Sequence, residues 1–87
     1  MGFKVGDLAK FKDDAYDNSA FNGGISFLSK DGKHYIEIPR SEVNGALVEI
    51  VWLNETLTHA DVVIVATGCK RGIQLNNRLE ELKQTLK

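Results

Sequence analysis

Apolar and polar positions alternate with a period of two along most of the chain, and the period lengthens only near its end. Val5-Gly6-Asp7 forms a tight turn into a predicted strand over Leu8 to Lys12. Asp13 to Ser19 is a polar loop of residues that bond their own backbone, and Asn22-Gly23-Gly24 closes it. Ile25–Leu28 and Lys33–Ile38 are β-rich runs flanking Ser29-Lys30-Asp31-Gly32. Asp-Gly between such runs predicts a hairpin with a type I′ turn, which needs positive φ at both central residues. In the second run His34, Ile36 and Ile38 share one face, with Tyr35 and Glu37 on the other. Pro39 ends that strand, because it has no ladder donor.

From Arg40 to Asn54 two readings compete. Val43, Leu47, Ile50 and Val51 fit a helical face with Ser41 as N-cap, but Ala46 to Leu53 is dense in β-branched and aromatic residues. Gly45 would cost a helix about 1 kcal/mol relative to Ala, and Val, Ile and Trp are poor helix formers. A strand after an Asn44-Gly45 turn is therefore preferred. Trp52 shares a strand face with Val48 and Ile50 and so reads as a core residue, the alternative being an exposed stacking platform. Asp61 to Thr67 is apolar on both faces, as in a doubly buried strand, and stops at Gly68. Leu75, Leu79, Leu82 and Leu86 then form one helical stripe, with Asn76 or Asn77 as cap and Glu80–Lys83 as a supporting pair. The stripe spans under two heptads, which favours packing on the sheet over pairing with a partner helix.

Length and composition narrow the function classes. Eighty-seven residues, 43% of them apolar, fit one domain: a β-rich body over 1–74 and an amphipathic helix over 75–87. Cys69 is the single cysteine, so an intramolecular disulfide is impossible and a Cys-based zinc site lacks ligands. No basic segment precedes an apolar run of signal-peptide length, and Val62 to Ala66 is far shorter than the ~20 residues of a membrane span. These features point to a cytoplasmic chain without membrane contact. A net charge of −1 is not that of a generic polyanion binder. The charge is uneven, however, since residues 70–87 hold five Lys/Arg against two Glu. A helix C-terminus accounts for Lys83 and Lys87 but not for Lys70, Arg71 and Arg78.

Few residues carry a chemical signature. Asp13, Asp14, Asp17 and Asn18 are calcium-type ligands without EF-hand spacing, so they read as a solvated acidic loop. His34 reads as a hydrogen-bonded packing residue on an apolar face, and His59 as a loop residue; neither has a metal-ligand neighbour. Thr67-Gly68-Cys69-Lys70-Arg71-Gly72 is the most suggestive stretch, with two glycines bracketing a thiol and two cations. It reads first as a basic surface turn with a small buried Cys69. The alternative is anion or nucleic-acid contact by Lys70, Arg71 and Arg78, aided by Lys10 and Lys12, with Tyr35 as a stacking platform. A reactive Cys69 beside cations is a third reading. The stretch lacks Walker A spacing.

Phe3-Lys4-Val5-Gly6-Asp7-Leu8-Ala9-Lys10-Phe11 resembles the first strand of SH3-like small barrels, including KOW-type domains. The resemblance covers about the first 60 residues, and it implies a five-stranded barrel used to bind nucleic acid or protein. The stretch from Ala60 to Gly68, followed by a helix, also looks like one strand–loop–helix unit of α/β proteins, without a G-x-G-x-x-G fingerprint.

The expected fold is thus α+β: a mostly antiparallel SH3-like barrel or curled sheet of five to six strands, with a C-terminal helix across it. The expected function is that of a non-catalytic accessory module with a protein partner and no cofactor. The alternative is a nucleic-acid-binding domain using the basic C-terminal turn and helix. The two separate on whether the cations converge on one face.

Overall fold

The computed structural model describes residues 3–17, 24–75 and 82–84. Seven strands form one sheet: β1 (Leu8–Phe11), β2 (Ile25–Leu28), β3 (Tyr35–Ile38), β4 (Leu47–Leu53), β5 (His59–Ile64), β6 (Lys70–Gln74) and β7 (Leu82–Gln84). Their order is β3-β2-β6-β5-β4-β1-β7, and every pairing is antiparallel. One helical turn, α1 (Arg40–Val43), precedes β4.

The fold class differs from the α+β expectation. The chain is essentially all-β, the sheet is open instead of closed into an SH3-like barrel, and no long helix occurs among the described residues. The predicted C-terminal helix fails where it can be seen. Leu75 continues the β5–β6 hairpin through its N–H, which donates to the Thr58 carbonyl at 2.7 Å. Leu82–Gln84 is a strand on the outer edge of β1, with Ala9 opposite Gln84 and Phe11 opposite Leu82. A short isolated helix is marginal in water, whereas the edge of β1 offers a ready ladder. Leu79, Leu86 and the proposed caps lie outside the described residues.

The core sits on one face of the sheet. Ala9 and Phe11, Ile25 and Phe27, Val48 and Ile50, and Ala60, Val62 and Ile64 point inward at alternate positions of β1, β2, β4 and β5. This alternation is what period-two patterning produces when only one face is covered. The cover includes the acidic loop and α1. Tyr16 is fully buried and meets Phe11 edge-on, with ring centroids 5.5 Å apart; Phe27 meets Phe11 from another side at 6.5 Å. Asn44 anchors this loop: its Oδ1 accepts the Tyr16 N–H at 3.0 Å, and its Nδ2 donates to Asp17 at 2.9 Å.

Both readings of residues 40–53 are realised in part. Arg40–Val43 makes a helical turn that buries Val43; the chain reverses at Gly45 and enters β4 at Leu47. The predicted β2–β3 hairpin forms, with Ile25 opposite Ile38 and Leu28 opposite Tyr35. Its turn is not type I′, because only Gly32 has positive φ there (+75°). Asp61 to Thr67 is not one doubly buried strand. β5 starts at His59 and ends at Ile64, and Val65 lies 52% exposed in the turn beyond it. No helix among the described residues is long and apolar enough to cross a membrane.

Candidate functional site

The uncovered face of the sheet carries some of the residues singled out by sequence. Direct pairings place Tyr35, Leu28, Lys70, Val63, Glu49 and Leu8 in one row across β3, β2, β6, β5, β4 and β1. Tyr35 is 72% exposed. Lys10 pairs with Leu47 on the same face. It stands three strands and one step of register from Lys70, roughly 15 Å along the sheet. That exceeds the ~8–10 Å screening length of physiological salt. Glu37, Glu49 and Asp61 lie on this face too, between and beside the two lysines.

Arg71 is on the other face. It pairs with buried Val62, and its Nε donates to the Tyr16 hydroxyl at 3.2 Å while Nη1 donates to the Ser26 carbonyl at 2.9 Å. Lys12 follows β1 and is half-buried, and Arg78 lies outside the described residues. The four described candidate cations, Lys10, Lys12, Lys70 and Arg71, therefore do not converge. The expected basic turn over residues 67–72 forms only in part: Thr67 and Gly68 lie in the β5–β6 turn, but the two cations do not. Lys70 to Gln74 is a strand, and a shallow dent of about 250 Å³ surrounds Gly72, where Asp61 occupies the space a side chain would fill.

Trp52 is not in the core. The register slips between Ile50 and Trp52, so Val51 is an extra residue and Trp52 pairs with Asp61 on the uncovered face, 49% exposed. A bulge reverses the parity on which the sequence expectation rested. His34 is likewise exposed, with Nδ1 3.5 Å from Ser29 Oγ and 3.8 Å from Asp31. Its strand begins only at Tyr35, so the predicted apolar face does not reach it. His59 is exposed with Thr58 Oγ1 2.9 Å from its Nδ1. Among the described residues no group of three His, Cys, Asp or Glu is arranged to hold a metal.

Sequence reading missed a groove of about 590 Å³ at one end of the sheet. Ile36 to Pro39 line one wall, Ala46 and Leu47 with Glu42 another, and Ile64 to Thr67 with Cys69 the third. Neighbouring side chains in a strand point to opposite faces, so a wall of four consecutive residues from Ile36 shows that the groove runs along the edge of β3. β3 is the last strand of the sheet on this side. In the hairpin the Ser29 N–H donates to the His34 carbonyl, which makes residues 36 and 38 the ones bonded to β2. The N–H and C=O of Tyr35 and Glu37 therefore face outward. Among the described residues the lining holds two carboxylates, Glu37 and Glu42, and no basic side chain. The signal for this groove was the two-sided apolar run itself. Val65 and Ala66 are apolar because they line the groove beyond the end of β5.

Cys69 is buried and lines the groove, and its N–H donates to Thr67 Oγ1 at 3.3 Å. No family model matches the chain, and neither a curated protein nor a solved structure matches it.

Proposed function

We propose that this chain is a non-catalytic binding module whose partner is a protein, docked in the groove beside β3. The observation that supports this reading is the pairing of an apolar concavity of about 590 Å³ with an exposed strand edge. An exposed sheet edge with side-chain pockets beside it is a recurring form of peptide-recognition site. Less supports the nucleic-acid alternative among the described residues, where Arg71 is engaged by Tyr16 and Ser26, and Lys10 and Lys70 share their face with Glu37, Glu49 and Asp61.

The test places a photo-crosslinking residue at Val65, in the groove, and separately at Leu57, which is exposed elsewhere. The expected result is one dominant protein adduct at position 65 and none at 57, with the identified partner then purified and titrated. In parallel, short DNA and RNA are titrated at two salt concentrations. Salt-sensitive oligonucleotide binding abolished by Lys10→Glu with Lys70→Glu, and no adduct at position 65, would reject the reading.

A further inference from the structure

The groove specifies the form of its occupant. We infer that the partner supplies an extended segment, apolar and basic at alternate positions, that adds as a strand to the outer edge of β3; this rests on the protein-binding reading above. Three observations carry it. Tyr35 and Glu37 turn their backbone donors and acceptors outward, and no described strand pairs with them. The floor beside that edge is apolar, built from Ile36, Ile38, Leu47 and Ile64, and would receive alternate side chains of an added strand. Glu37 and Glu42 stand at the groove with no ion pair or side-chain hydrogen bond to a described residue, so cations on the added strand complete the charge balance.

The same carboxylate argues against a second copy as occupant. Antiparallel pairing of two β3 strands about Glu37 sets like charges side by side, which is unfavourable between neighbouring strands. β3 is also only four residues long and ends at Pro39, so the ladder is brief and the groove must supply much of the affinity.

The experiment displays random linear peptides to the intact chain and titrates the enriched ones by amide-detected NMR. Enriched peptides are expected to alternate Val, Ile or Leu with Lys or Arg. On binding, the Tyr35 and Glu37 amides gain exchange protection. N-methylation of the peptide amides facing β3 abolishes binding, and Glu37→Gln with Glu42→Gln weakens it about tenfold. Both glutamates are exposed, so these variants fold. Three outcomes overturn the inference: no enriched peptide, binding indifferent to N-methylation, or shifts centred on Lys70 and Trp52. A helical or proline-rich peptide seated in the groove overturns strand addition and leaves the protein-binding reading intact. Failure of that reading shows instead as the absence of an adduct at position 65.

Discussion

Arg71 reaches across β2 and β6 to the Tyr16 hydroxyl, holding its guanidinium carbon 5.7 Å from the centre of the Tyr16 ring. The contact joins the acidic loop to the middle of the sheet. It falls where the ladder thins, since Leu28 opposite Lys70 is the one register pair between β2 and β6. The Ser26 carbonyl, two residues along β2, is met by the Arg71 side chain in place of a backbone partner. Arg71 therefore acts as a cross-strand staple.

Replacing it should cost stability. Arg71→Ala removes two hydrogen bonds and a cation–π contact, worth about 1.5–3 kcal/mol together. Arg71→Lys should recover less than half, because a point charge cannot serve both acceptors. Tyr16→Phe tests the other partner, and a double-mutant cycle by urea denaturation should show coupling of about 0.5–1.5 kcal/mol. Additive effects would mean that the two side chains do not act together.

Asp31 gives the fold a local acid response. The Ser29 hydroxyl donates to its carboxylate, the Lys33 N–H donates at 3.0 Å, and His34 stands nearby; together these hold its pKa below the ordinary value. Because the folded value is the lower one, the stabilisation is complete above the free aspartate pKa of about 4 and is lost as pH falls through the folded value. Exchange at the Lys33 amide should accelerate across that window in the wild type, and Asp31→Asn should remove the transition. A pH-independent Lys33 amide would show that the hydrogen bonds do not bias Asp31.

Leu57 is the one described non-glycine residue at positive φ, +58°. Its side chain is 47% exposed, while Asn54 organises the turn by accepting the Thr58 and His59 N–H groups at 2.9 and 3.0 Å. The left-handed conformation costs a branched residue about 1 kcal/mol, and Asn tolerates it. Leu57→Asn should stabilise the fold by about 0.5–1 kcal/mol, read as a higher urea midpoint at unchanged m, and Leu57→Val should lower the midpoint. A destabilised Asn variant would indicate that the Leu57 side chain contributes packing.

Gly68 closes the β5–β6 turn at φ +78°, with its N–H donating to the Ile64 carbonyl at 2.7 Å. A Cβ there would lie 2.9 Å from Lys30 Cγ, the arm of a flexible side chain. Gly68→Ala should therefore cost about 1 kcal/mol, most of it backbone strain. Adding Lys30→Ala should restore only a small part of that loss in thermal denaturation. Full rescue would assign the cost to the steric clash.

Local signals made much of the sheet legible in the sequence. The Ile25–Ile38 hairpin, the Val5-Gly6-Asp7 turn and the strand carrying Val48 and Ile50 each rest on alternation within a few residues. What escaped depends on distant partners. Nothing near Leu82 announces the edge of β1, and Trp52 changes face through a single inserted residue, Val51, visible only against β5. Of the candidate site residues, Tyr35, Lys10 and Lys70 share the uncovered face. Arg71 does not, because its strand parity was hidden inside an expected turn. The groove joins residues 36–39, 42, 46–47, 64–67 and 69, a combination that no linear pattern contains.

The position of β1 between β4 and β7 sets an order of events during synthesis. Leu8–Phe11 emerge from the ribosome early, yet Lys10 finds Leu47 on one side and Lys83 on the other. Non-local pairing of this kind is slow, because loop closure must precede any reward. Until Leu82–Gln84 emerges, the outer edge of β1 lacks its partner strand, and a nascent chain paused before that point presents an unprotected strand edge to its neighbours.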